Sequence, residues 1–151
     1  MTLTPAGIDG LAALVGHDLG HSGWTSITQE QVEKFADATG DRQWIHIDPE
    51  RSAATRFGGT VAHGYLVLSL ASPLLNEILR PQGFAMVVNY GCDRVRFLSP
   101  VPVGSRLRAG AVLRTVEPFT GGAQLGLTVT FELAERRAPV CVARVLLRAY
   151  Q

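Results

Sequence analysis

Asp41 and His46 stand five positions apart in the stretch Gly40-Asp41-Arg42-Gln43-Trp44-Ile45-His46, and a second polar cluster, Ala62-His63-Gly64, follows the glycine pair Gly58-Gly59. A carboxylate and an imidazole brought together beside an apolar pocket can hold a water between them, one group removing a proton and the other orienting the water or returning the proton. The same residue types serve plainer ends. Aspartate after glycine is a common turn residue, and a histidine near a helix end can do no more than satisfy local backbone. Gly64 adds a third group: N–H groups at a helix start are unsatisfied donors at the positive end of the dipole, placed to stabilise charge developing on a carbonyl oxygen. Glycine also admits a closely approaching ligand, although a purely conformational need would select it equally well.

The elements that position these groups are legible around them. Thr28 followed by Gln31 reads as a capping box, and Val32, Phe35 and Ala36 give an apolar stripe to a helix running to about Thr39, closed by Gly40. Asp41 then leaves the helix on a loop of fixed direction, with Ile45 and Ile47 as anchors on either side of His46. Asp48 as N-cap and Pro49 at the first helical position predict a short helix through Ala54. After Phe57-Gly58-Gly59-Thr60, the apolar run from Tyr65 to Leu79 is too continuous for a surface helix and predicts a buried central one, kinked near Ser69 by Pro73. Upstream, a short leading helix over Ile8 to Val15 and an edge strand near Trp24 are expected. From Phe84 onward the pattern has period two, in runs of roughly 84–98, 105–118, 123–135 and 139–150, with turn chemistry between them. Helices followed by an antiparallel meander define an α+β domain over residues 1–151, one long helix packed against a curved sheet.

Composition narrows the field of partners. The 151 residues, 46% hydrophobic and 18% charged, suit one ordinary globular domain. A formal charge of +1 gives no electrostatic case for nucleic acid or an anionic membrane, and no apolar run is long enough to span a bilayer. A cytoplasmic protein is expected, since no signal sequence opens the chain. Lys34 is the only lysine among the 14 basic residues, and the arginine forks that make up the rest suit phosphates and carboxylates as well as plain surface solvation. Cys92 and Cys141 are too far apart for a zinc or redox motif and read as buried small apolar side chains. His17 and His21 read as surface residues, and Arg94 and Arg96 share one face of a strand, read as a solvated outer face in preference to a contact with phosphates.

Phe35 to Asp48 together with Phe57-Gly58-Gly59-Thr60-Val61-Ala62-His63-Gly64-Tyr65-Leu66 resembles the MaoC-like, (R)-specific enoyl-CoA hydratase family, in particular its single-hotdog, nodulation-protein-N-like and mycobacterial branch. Val95 to Gly104 resembles the strand and turn of that family, so the likeness runs over nearly the whole chain. It implies a hotdog fold, two chains pairing into a continuous sheet as a homodimer, and active sites near their interface. It further implies that Asp41 and His46 are the catalytic dyad activating water for addition to a trans-2-enoyl thioester, giving the (3R)-hydroxyacyl-CoA. Gly64 would donate its N–H to the thioester oxygen, His63 would support that loop through its ring or simply be a buried histidine, and Ser72 matches a site serine. The substrate would be an acyl-CoA thioester or its acyl-carrier-protein counterpart, with no metal and no cofactor.

The chain departs from the pattern Gly-Asp-x-Asn-Pro-x-His at Gln43 and Trp44, and Trp44 is read as packing on the core in preference to lining an acyl pocket. Two other functions use the same fold: a thioesterase, in which water attacks the thioester carbonyl, and a non-catalytic acyl-binding partner subunit. Possession of both Asp41 and His46 favours the hydratase.

Overall fold

Period-two patterning in the second half of the chain is realised as four long strands, β3 (Met86–Phe97), β4 (Arg106–Phe119), β5 (Gly122–Leu133) and β6 (Cys141–Tyr150), whose ends lie within two residues of those expected. The computed structural model describes residues 1–136 and 138–151. The turn expected over Arg136 to Pro139 therefore lies partly outside the described residues. Two short strands near the N-terminus, β1 (Asp18–His21) and β2 (Thr25–Ser26), both pair with β4. The sheet is antiparallel, with the order β1-β4-β5-β6-β3, so β3 is an end strand even though it precedes its neighbour β6 in sequence.

Alternation along β4 and β5 turns Leu107, Leu113, Leu125, Leu127, Val129 and Phe131 inward, where they are fully buried. They pack against Leu66, Val67, Leu74, Leu75 and Ile78 of the two helices that the sheet curves around, α5 (Gly64–Ser69) and α6 (Ala71–Ile78). Each such side chain contributes about 1.5–3 kcal/mol by leaving water, so this seam dominates the stability of the domain.

The central helix is broken at Leu70, where a kink near Ser69 is expected. Pro73 has no N–H to offer the Ser69 carbonyl, and the Ser69 hydroxyl donates to the Leu66 carbonyl at 2.7 Å. The Leu70 N–H is shared between Leu66 and Val67 carbonyls at 3.2 and 3.3 Å, which tightens the last turn of α5. Pro73 then falls in the first turn of α6, where a missing donor costs little. One side of the helix pair stays open in the single chain, Tyr65 being 72% exposed.

The remaining helices are α1 (Gly7–Ala12), α2 (Gln29–Thr39), α3 (Trp44–Ile47) and α4 (Pro49–Ala53). The capping box of Thr28 and Gln31 forms at the start of α2, and Gly40 closes it at φ +78°, a left-handed conformation that glycine adopts without strain. Asp48 caps α4 as expected, accepting from the Arg51 N–H. Cys141 is buried and its thiol is pushed up to about 11 by that burial. Cys92 departs from expectation: it is exposed, because it lies on the end strand β3. Among the described residues, no helix is long and apolar enough to cross a membrane.

Candidate active site

His46 sits on the single turn of α3 instead of in an open loop, 6% exposed, and its Nδ1 lies 2.6 Å from the carbonyl oxygen of Val61. A carbonyl only accepts, so Nδ1 carries the proton and Nε2 keeps its lone pair. Burial holds the imidazole below its ordinary pKa, outweighing the opposite pull of the Val61 hydrogen bond; His63 lowers it further and Asp41 opposes. A neutral imidazole with a free Nε2 is a competent proton acceptor at neutral pH.

Asp41 follows the α2 cap and stays exposed, its N–H held by the Thr39 hydroxyl at 3.3 Å. Its neighbour Arg42 turns back to pair with Asp37 on α2 instead of with the Asp41 carboxylate. Atoms of Asp41, His46 and His63 that could bind a ligand lie within 4.8 Å of one another. A water making hydrogen bonds of about 2.8 Å to two such atoms bridges a gap of about 4–5 Å.

The segment Thr60-Val61-Ala62 holds this arrangement. The Val61 N–H donates to the Ile45 carbonyl at 3.1 Å, and the Ala62 N–H donates to the Val101 carbonyl at 2.8 Å. Gln29 spans the two sides: its Nε2 donates to the His46 carbonyl at 2.9 Å and its Oε1 accepts from the Thr60 hydroxyl at 2.6 Å. Neither Gln29 nor Thr60 is singled out by sequence reasoning, since a glutamine one residue past a cap shows no sign of a distant partner. His63, 2% exposed, stacks on His46 with ring centroids 3.7 Å apart, and its Nε2 lies 2.9 Å from the backbone carbonyl of Asp41.

Gly64 opens α5 directly after His63, at the first helical position, where an N–H has no intrahelical acceptor. It lines a cavity of about 390 Å³ with Arg56, Val67, Phe97 and Cys141. A Cβ at residue 64 would stand 3.1 Å from the Phe97 ring, so packing as well as ligand approach calls for glycine here.

The MaoC like domain pattern matches residues 11–130 of this chain. The chain belongs to the MaoC-like family. It is an enzyme of the hydratase/dehydratase class, a lyase. Among its relatives, 3-hydroxyacyl-thioester dehydratase Z of Mycobacterium tuberculosis is 48% identical over 139 residues, covering 91% of this chain and 92% of that protein. Nodulation protein N of Rhizobium leguminosarum is 44% identical over 133 residues, covering 85% and 82%. Solved structures share the hotdog fold at low identity. A monoamine oxidase regulatory protein from Archaeoglobus superposes with a TM-score of 0.79 at 22% identity, covering 100% and 99% of the two chains. The (R)-hydratase from A. caviae gives 0.72 at 24%, covering 88% and 94%.

Within this MaoC-like chain Ser72 lies apart from the cluster. It accepts from the Asn89 side-chain amide at 2.7 Å and lines a separate cavity of about 210 Å³ with Leu68, Ala71, Cys92 and Val145. Trp44 is half-buried beneath the Arg51 guanidinium, 4.1 Å from its ring centre, a packing position. Asp41, His46 and His63 each offer one ligand atom within 4.8 Å of the others, donor types that suit a metal ion as well as a bound water.

Proposed function

We propose that this chain is an (R)-specific hydratase of trans-2-enoyl-CoA, adding water reversibly to give the (3R)-hydroxyacyl-CoA. The carrying observation is the tautomer imposed on His46: Val61 occupies Nδ1 and leaves Nε2 its lone pair, on a ring with a nitrogen within water's reach of the Asp41 carboxylate. Asp41 fixes the water and Nε2 of His46 takes its proton as the oxygen bonds to the β-carbon. The imidazolium then returns that proton to the α-carbon, so one water is consumed and no other reactant is needed. The N–H of Gly64 stabilises the enolate oxygen that forms between these steps. The name of the mycobacterial relative supports a 3-hydroxyacyl thioester on the product side.

The working unit proposed is a homodimer. Met86, Val87, Val88 and Tyr90 of β3 are all exposed, although neighbouring side chains on a strand point to opposite faces. An end strand bare on both faces is covered when a second copy extends the sheet. Ser72 and Asn89 then line a cavity next to this strand, where the second chain closes it over the acyl group.

Incubation with crotonyl-CoA tests the reading. Loss of the enoyl absorbance without release of free thiol is expected; thiol release with the double bond intact would make the chain a thioesterase and sink the proposal. No change in either would point to a binding subunit.

A further inference from the structure

We infer that His63 is a positioning residue that clamps the two members of the dyad to each other, holding the Asp41 peptide through Nε2 while its ring seats the imidazole of His46. The inference rests on the proposed roles of Asp41 and His46.

Three contacts meet at this one side chain. Nε2 lies 2.9 Å from the Asp41 carbonyl oxygen, 22 positions back in the chain. The ring stacks on His46 at 3.7 Å with an interplanar angle of 26°, and Phe35 of α2 lies against it at 4.9 Å, tilted by 49°. Its peptide leads directly into Gly64. A carbonyl accepts only, so Nε2 carries the proton and Nδ1 keeps a lone pair. That Nδ1 is buried and has no hydrogen-bond partner among the described residues.

An unpartnered buried nitrogen costs free energy, and a ring needed only to fill the space between Phe35 and His46 would avoid the cost by being apolar. What a phenyl ring cannot do is donate to Asp41. This hydrogen bond is the direct link between the loop carrying the carboxylate and the segment whose Val61 carbonyl sets the His46 tautomer. Displacement of a reacting group by about 1 Å is enough to cost a hundredfold in rate, so one bond at this junction has leverage on turnover.

The titratable groups facing His46 are Asp41, from the loop after α2, and His63, from the segment before α5. A positive charge on His63 would lie against the His46 ring and oppose its protonation. Replacing His63 by a group that cannot be charged removes this opposition, and His46 then gains its proton at higher pH.

Two substitutions separate the donor from the ring. His63→Phe keeps the stack and loses the hydrogen bond; His63→Gln keeps a donor near the position of Nε2 and loses the ring. In the crotonyl-CoA assay His63→Phe should lose about a hundredfold in kcat with KM within about twofold. His63→Gln should stay within about tenfold of the parent, with the acid limb of its kcat/KM profile moved to higher pH. A His63→Phe enzyme with kcat within about twofold of the parent overturns the clamp, as does a glutamine variant no better than the phenylalanine one. Should the phenylalanine variant fail to fold, the acid limb of His63→Gln decides, and an unmoved limb overturns the proposal. Asp41→Asn, assayed alongside, keeps the two readings apart. If it is inactive while His63→Phe is active, only the clamp falls; if Asp41→Asn itself stays active, the dyad assignment falls instead.

Discussion

Thr60 donates its hydroxyl to the side-chain oxygen of Gln29 across 31 positions of sequence, at 2.6 Å, while the amide nitrogen of the same glutamine donates to the His46 carbonyl. One side chain at the start of α2 thus fastens α3 to the segment that enters α5. Gln29→Ala leaves the Thr60 hydroxyl and the His46 carbonyl without these partners. A loss of about 1–2 kcal/mol is expected in urea denaturation, with a larger proportional fall in kcat than in KM.

Substitution at Asp41 should act on chemistry alone. Asp41 is exposed, so Asp41→Asn is expected to leave the fold intact by circular dichroism and to lower kcat for crotonyl-CoA hydration by about a hundredfold or more. His46→Gln should lose as much, because the new side chain cannot accept a proton from water.

The lowered pKa of His46 fixes the sign of two pH effects. As a base it works when neutral, so kcat/KM should hold below the ordinary histidine value of about 6.5 and fall only as pH drops through the depressed folded pKa. The unfolded chain binds the proton first, so stability contributed by His46 is complete above about 6.5 and declines as pH falls from there to the folded pKa. Chemical denaturation between about pH 4 and 8 should show this decline, and His46→Gln should flatten it.

Phe97 is half exposed and faces the position where a Cβ at residue 64 would stand. Gly64→Ala should therefore cost no more than about 1–1.5 kcal/mol, the ring moving by a few tenths of an ångström. Adding Phe97→Leu should recover most of that stability. A penalty unchanged in the double variant would mean that the backbone, not the ring, resists the new methyl.

Sedimentation should return the mass of two chains. Val88→Lys, which puts a charge on the bare strand β3, is expected to shift the equilibrium toward one chain and to reduce hydration in parallel. A single-chain parent with full activity would refute the homodimer.

Local chemistry was legible in the chain wherever one turn of backbone decides the outcome. Thr28 with Gln31, Gly40, and Asp48 with Pro49 each mark a boundary that forms as expected. Three of the four long strands, β4, β5 and β6, follow from alternation that a buried face enforces. Asp41, His46 and His63 do come together, which their spacing allowed but did not require. The partners that hold them were not legible: Gln29 to Thr60 and His63 to the Asp41 carbonyl are long-range bonds between ordinary residues. β1 was hidden for another reason, since Gly20 at φ +88° breaks the alternation and the register with β4 shifts there. Cys92 misled because small apolar character predicts burial, whereas exposure depends on the place of β3 at the end of the sheet.

The placement of β3 beside β6 also sets an order of events during synthesis. Met86 pairs with Tyr150 and Phe97 with Cys141, so β3 leaves the ribosome before any residue of its ladder partner has been made. Throughout that interval β3 waits with its backbone unpaired, while β4 and β5, which pair with each other in the fold, follow it in the chain. Damage to β6 therefore strikes the nascent chain first: weakening substitutions between Cys141 and Tyr150 should lower the yield of folded enzyme through aggregation while leaving the turnover of each folded molecule nearly unchanged.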